Sequence, residues 1–384
     1  MEKMYSFFMP TVNLMGPGSF QQVGEKMSSL NADKALIVTD KGLKEAGMAD
    51  ELKAIIEDAG KEAAIFDGSE PNPTDKNVEA GEQAYKKEKC DIVISLGGGS
   101  SHDCAKGIRL VASNGGNIKD FEGLDQSENS DVPMIAVNTT AGTASEMTRF
   151  CIITDTDRKV KMAIVDWRTT PEISINDPKL MIKKPSKLTA ATGMDALTHA
   201  VEAYVSPDHT PVTDAVALQA INLISKNLRT AVANGDDFEA RDQMAYAQFL
   251  AGMAFNNAGL GYVHAMAHQL GGFYNLPHGV CNAILLPHVE KFNLIASPNR
   301  FKNIAIAMEE NVEGLSDREA AEVALDAIKT LSEDIGIPSG LSEIGVKEED
   351  LKIMAENAMN DVCSLFNPRK ASLEDVVSIF KDAM

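Results

Sequence analysis

His264 and His268 stand four residues apart in the Ala/Met/Leu-rich run GLGYVHAMAHQLGG, so a helix there carries both imidazoles on one face. His278 follows in a Pro-His-Gly turn beyond the Gly271-Gly272 break, where a loop can bend a third imidazole back toward that face. Upstream, in TAATGMDALTHAVEAY, Asp195 and His199 repeat the four-residue spacing on a small, apolar helix. A buried carboxylate and imidazole cost free energy unless they are paired or hold a metal. Asp195, His199, His264 and His278 together make a one-carboxylate, three-imidazole set suited to a borderline divalent cation. Ala265 follows His264 where a zincin has glutamate, which disfavours a metalloprotease, and no cysteine is placed to close a structural zinc site. One histidine on an apolar helix is more often a core residue; two such pairs and a third imidazole in a glycine-flanked turn are harder to read that way.

The elements that must position these residues are helical. Beyond Pro178 and Pro185 the β-branched clusters thin out, and helical patterns span 189–206, 211–234, 239–257, 259–273, 281–296, 299–311, 316–335, 347–361 and 372–383. Before them, strand-like runs alternate with helical ones. ALIVTD (35–40), AAIFD (63–67) and DIVISL (91–96) read as strands; Gly42–Asp58, Thr74–Lys87 and the run after Ser101 read as helices. This alternation predicts a mostly parallel sheet covered on both faces. The expected organisation is an α/β domain over 1–185 and an all-helical domain over 186–384.

A second chemical feature sits at the end of the third strand. Gly97, Gly98, Gly99 and Ser100 leave no bulky side chain in a ligand's way, and the helix that follows offers free N–H groups to a pyrophosphate. The bland alternative is a tight strand-to-helix turn. The Rossmann fingerprint is not met, because His102 stands where its third glycine belongs. Asp40 closes the first strand, where its carboxylate suits ribose hydroxyls or a helix N-cap. MIAVNTTAGTASE repeats the logic: Thr139, Thr140 and Thr143 either line phosphates and ribose or form an unliganded turn. Asp155-Thr156-Asp157 signals a hairpin, and Lys161 on its return strand reads most simply as a solvated charge.

The 384 residues suffice for two or three cores, and the charge of −20, from 36 basic against 56 acidic residues, argues against nucleic acid and anionic membranes. Five scattered cysteines read as buried thiols of a reducing cytoplasm. No signal peptide and no membrane-spanning run is expected from the sequence.

GGGSSHDCAKGI (97–108), AVNTTAGTASEMTR (136–149), SINDPKLM (174–181), ATGMDALTHAVEAY (191–204) and the 259–289 stretch resemble the iron-dependent (group III) alcohol dehydrogenases, closest to their 1,3-propanediol and methanol dehydrogenase branch. The resemblance covers essentially the whole chain. It implies an N-terminal dinucleotide-binding α/β domain and a helical C-terminal domain. Asp195, His199, His264 and His278 would bind one cation, iron or zinc or another divalent metal. Gly98, Gly99, Ser100, Thr139, Thr140 and Thr143 would contact NAD, with Asp40 at the ribose, Lys161 nearby and Asp103 unassigned. His268 would stay off the metal and relay the substrate proton. Phe150, Phe255 and Phe273 would narrow a pocket for a short alcohol or diol, such as 1,3-propanediol, or its aldehyde, unless they are simply core. A homo-oligomer is implied as well. The rival readings are a zinc-dependent polyol dehydrogenase, a dehydroquinate synthase-type lyase and a non-catalytic nucleotide-binding scaffold.

Overall fold

The computed structural model describes residues 4–182 and 184–384. The chain forms two compact units, Met1–Thr140 with Ala144–Met181, and Ala141–Thr143 with Ile182–Met384.

The first unit is built on a six-stranded sheet. Its strands, with the members of a smaller sheet between them in the chain, are β1 (Val12–Met15), β2 (Lys34–Val38), β3 (Glu62–Phe66), β4 (Ile92–Gly97), β5 (Gly123–Leu124), β6 (Met134–Asn138), β7 (Phe150–Asp155), β8 (Val160–Val165) and β9 (Ile173–Asn176). The large sheet runs β1-β9-β6-β4-β2-β3, and every neighbouring pair is parallel. Successive side chains of a strand point to opposite faces. Ile37, Ile94 and Val137 accordingly enter one buried cluster, while Leu36, Val38, Val93 and Ala136 enter another. Both faces are covered, so the strand sequences are apolar at nearly every position. β7 and β8 form the antiparallel hairpin that the Asp155-Thr156-Asp157 signal predicts, with β5 added in parallel.

Three features differ from the sequence reading. β9 lies inside the sheet, although the sequence reading named no strand there, because two of its four residues are polar: Ser174 donates to Asn13 at 2.6 Å and Asn176 accepts from Asn138 at 2.8 Å. The helix expected over 42–58 is two helices, Lys41–Glu45 and Met48–Asp58, parted at Gly47, whose φ of 79° is a left-handed value that glycine adopts without strain. The helix after the glycine turn begins at Gly99, three residues earlier than expected.

The second unit holds the helices Ser186–Val205, Pro211–Ala233, Phe238–Ala258, Tyr262–Tyr274, His278–Asn293, Pro298–Ala307, Asp317–Asp334, Leu351–Asn360 and Leu373–Asp382, with no strand among the described residues. Capping boxes start three of them, at Thr210, Ser316 and Ser372. The Ser186–Val205 helix is buried on all sides from Met194 to Val205. A helix so placed cannot leave polar groups to water, so Asp195, His199 and Glu202 must find partners inside the unit. All five cysteines are buried free thiols, and among the described residues no helix is long and apolar enough to cross a membrane.

Candidate functional site

Asp195 and His199 lie one turn apart on the Ser186–Val205 helix, His264 in the first turn of the Tyr262–Tyr274 helix, and His278 at the first position of the His278–Asn293 helix. The chain does not break at Gly271-Gly272; that helix runs on to Tyr274 and stops at Asn275, which takes a left-handed φ of 54°. Asp195, His199 and His264 are buried, and each offers one donor atom, all within 4.8 Å of one another. Asp195 Oδ1 is 3.8 Å from His264 Nε2 and 3.6 Å from His278 Nε2. The His264 ring stacks on His199 at 4.7 Å between centroids and meets His278 at 5.2 Å. The His278 side chain is 30% exposed where that of Asp195 is 2%, so the cluster opens on its His278 side.

Asn282 shows that the donor set suits a cation. Its Nδ2 stands 2.7 Å from Asp195 Oδ1, 3.1 Å from His264 Nε2 and 3.1 Å from His278 Nε2. Three acceptor atoms converge on an amide that has two protons to give. Burial, and then the neighbouring imidazoles, lower His264 well below the usual histidine range; burial also lowers His199 against the pull of Asp195. Both rings are held neutral, the form that donates a lone pair to a metal. One carboxylate with imidazoles fits a borderline divalent ion.

Packing here leaves no slack. A Cβ added to Gly279 would meet the Ala191 carbonyl oxygen at 2.2 Å, which places the start of the His278–Asn293 helix directly on the helix of Asp195. Gly279→Ala is expected to force these helices apart, costing about 1–3 kcal/mol of stability and weakening zinc uptake. Thermal melting and a zinc titration check this; a variant matching wild type in both would refute it.

Two carboxyls that the sequence reading missed support the cluster from behind. Glu202 Oε2 lies 2.5 Å from His264 Nδ1, and Glu290 accepts from Asn293 at 3.1 Å. Burial and then Glu290 push the Glu202 carboxyl up, and burial pushes Glu290 up to about 8. Asp195, His199 and Glu202 follow an i, i+4, i+7 spacing, a signal that was present in the sequence. Because Glu290 holds its proton more tightly folded than unfolded, its contribution is full below about pH 4.5 and is lost as pH rises toward 8. Glu290→Gln should therefore flatten the fall of stability with pH, by at most about 1.4 kcal/mol per pH unit. Urea unfolding near pH 5 and near pH 8 measures the slope, and an unchanged slope would contradict the assignment.

His268 is half-buried beside the cluster, its ring 6.0 Å from that of His264 and stacked on His278 at 5.5 Å. Its Nδ1 pairs with Asp361 Oδ2 at 2.8 Å, a partner 93 residues away that no local pattern announces. Burial raises the Asp361 carboxyl, but His268 and the Cys363 hydrogen bonds together turn the net shift downward. Of the three phenylalanines, Phe255 stacks on His199 at 4.2 Å, while Phe273 is half exposed and Phe150 lies on β7 in the first unit.

In the first unit the glycine turn closes at the carboxyl end of β4. Gly97 has φ 154°, and a Cβ there would meet Ser101 Oγ at 2.4 Å; a Cβ on Gly98 would meet Thr140 Oγ1 at 2.9 Å. The Thr139 N–H donates to the Gly97 carbonyl at 2.9 Å, so the Gly97–Ser100 and Thr139–Thr140 turns are neighbours at one sheet edge. Gly98 caps the Gly99–Asn114 helix without any side-chain cap, leaving the first-turn N–H groups to an anion. Thr143 belongs with the second unit, where the adjacent Gly142 lies against Thr192. Asp40 Oδ1 accepts from the Leu43 N–H at 3.0 Å as a helix N-cap. Lys161, half-buried on β8, donates to Asn72 at 2.8 Å. Asp103 accepts from Ser145 and from the Ile152 N–H, at 2.7 and 3.2 Å, and so anchors its helix to β7.

Known proteins match the chain along nearly its whole length. The family described as "Iron-containing alcohol dehydrogenase" matches residues 10–178, and "Fe-containing alcohol dehydrogenase family, C-terminal" matches 189–384. The chain is 55% identical to a 1,3-propanediol dehydrogenase of Klebsiella pneumoniae, over 99% of each chain. It is 51% identical to an NAD-dependent methanol dehydrogenase of Bacillus methanolicus, covering 99% of this chain and all of the relative. A solved 1,3-propanediol oxidoreductase, 55% identical, superposes with a TM-score of 0.98 over 100% of both chains. With both halves matched and relatives this similar, the chain belongs to the iron-containing alcohol dehydrogenase family and is an oxidoreductase.

Proposed function

We propose that the protein is an NAD-dependent alcohol dehydrogenase that interconverts a short-chain primary alcohol or diol, such as 1,3-propanediol, with its aldehyde. The observation that carries this reading is the gathering of Asp195, His199 and His264 donor atoms within 4.8 Å, with His278 on the open side. These four residues would hold one divalent cation, Fe²⁺ or a substitute such as Zn²⁺, in a catalytic domain spanning 186–384. Gly97, Gly98, Gly99, Ser100, Thr139, Thr140 and Thr143 would hold NAD in a domain spanning 1–185, with Lys161 near them and Asp40 at the ribose. When bound, the cation lends Lewis acidity to an alcohol hydroxyl and NAD accepts hydride. His268 takes the released proton at Nε2 while Asp361 holds its Nδ1, and Phe255 walls the His199 side. Identity to a propanediol and a methanol dehydrogenase supports the substrate class. The protein would act in the cytoplasm as a homo-oligomer.

The test is anaerobic purification, removal of metal, and NADH formation from 1,3-propanediol, methanol, ethanol and butanol after adding back Fe²⁺, Zn²⁺ or Mn²⁺. Activity restored by one metal is the expected result. A protein that binds NAD and metal yet oxidises none of these alcohols would point to a lyase or a scaffold.

A further inference from the structure

The Tyr262–Tyr274 helix starts without a side-chain cap of its own, because Gly261 occupies its N-cap position. The first N–H groups of a helix need partners from elsewhere. Two buried side chains remote in sequence supply them. Asn367 accepts from the Tyr262 N–H at 3.1 Å, and Glu202 Oε1 accepts from the Val263 N–H at 2.7 Å. The other Glu202 oxygen meets His264 Nδ1 at 2.5 Å. One carboxylate thus grips both the helix start and the imidazole that the helix carries, and it reaches them from the same helix as Asp195 and His199.

The state of this contact decides what His264 can do. With Oε1 taken by the Val263 N–H, Glu202 Oε2 faces His264 Nδ1 at 2.5 Å, while His264 Nε2 faces Asp195 Oδ1, 3.8 Å away. A ring that places its proton on Nδ1, toward Glu202, leaves the Nε2 lone pair on the Asp195 side.

We infer that Glu202 is a positioning residue: it fixes His264 as the Nδ1–H tautomer and thereby sets how tightly the centre holds its cation. The inference rests on the metal-binding reading above. A carboxylate behind a ligating histidine is a recurrent device for orienting the ring and raising its basicity, and its loss weakens metal binding by about 10- to 100-fold.

The experiment uses the whole protein, Zn²⁺ alone as probe, and ¹⁵N-labelled histidine. Long-range ¹H–¹⁵N spectra report the tautomer of each ring, and His264→Ala identifies the His264 signal by its absence. Chelator competition gives zinc affinity for wild type and Glu202→Gln. The expected result is His264 protonated on Nδ1 in wild type, and zinc bound about 10- to 100-fold more weakly by the variant. His264 protonated on Nε2, or a folded Glu202→Gln binding zinc as tightly as wild type, overturns the role of Glu202 while leaving the metal centre standing. Wild type that takes up no zinc overturns the metal-binding reading itself. The wild-type tautomer decides the matter even where Glu202→Gln does not fold.

Discussion

His264→Ala is expected to lower alcohol-dependent NADH formation by on the order of 10³-fold or more. His264 is the donor at the centre of the cluster: its ring faces His199, Asp195 and His278, and its Nδ1 is held by Glu202. Its removal would take away one of the four donors proposed for the cation. The Lewis acidity at stake is worth several kcal/mol of barrier, and each ~1.4 kcal/mol is a factor of ten in rate. The same truncation leaves the buried Glu202 without its imidazole partner, so a loss of about 1–3 kcal/mol in stability should accompany it. Steady-state rates with 1,3-propanediol, zinc content and circular dichroism separate these effects. A folded, metal-depleted variant that kept more than about a tenth of wild-type activity would defeat the assignment of this cluster to the reaction.

Lys106→Met is expected to destabilise the first unit by about 3–5 kcal/mol, because it removes a buried ammonium together with the hydrogen bonds it gives and the positive charge that faces Asp103 and Glu146. Lys106 is fully buried and donates to Ser145 Oγ at 3.1 Å, the Thr148 carbonyl at 2.8 Å and the Phe150 carbonyl at 2.7 Å. Burial lowers its affinity for the proton, and Asp103, foremost among its neighbours, restores part of it. Without the ammonium, the buried Glu146 and the half-buried Asp103 lose a nearby positive charge, and two carbonyls lose a donor. Urea unfolding measures the loss; a change under about 1 kcal/mol would contradict the account. The double variant Asp103→Asn/Lys106→Met should lose less than the sum of its single changes, because the two sites are coupled. Since these residues fasten the helix that begins at the glycine turn, NAD affinity should fall with stability.

The sequence disclosed chemistry wherever spacing is local. His264 with His268 and Asp195 with His199 are helical pairs, and each pair does share a helix. The fold class was legible for the same reason: apolar strands alternating with helices, then helices alone. What stayed hidden depends on contacts distant in the chain. Asp361 reaches His268 across 93 residues, and Asn282 meets Asp195 across 87. Glu202 lay in the right register but reads as an ordinary helix glutamate until burial shows that it has no water. β9 was obscured because Ser174 and Asn176 bury polar groups against partners on other strands, which breaks the apolar pattern a central strand normally shows. Gly47 could not be distinguished from a tolerated helical glycine without its φ.

The strand order has a consequence for synthesis on the ribosome. β9 is the last strand of the large sheet to be made, yet it lies between β1, the first, and β6. Val12 pairs with Ile173, so the earliest strand to emerge waits for one of the latest before it can join the sheet. Until residues 173–176 leave the exit tunnel, a nascent chain carries an unpaired β1 and an open β6 edge, both ready to add a foreign strand. Contacts this distant in the chain also slow folding. Chaperone demand should therefore be greatest for chains arrested between the end of β6 and the end of β9, and should drop once that gap is filled.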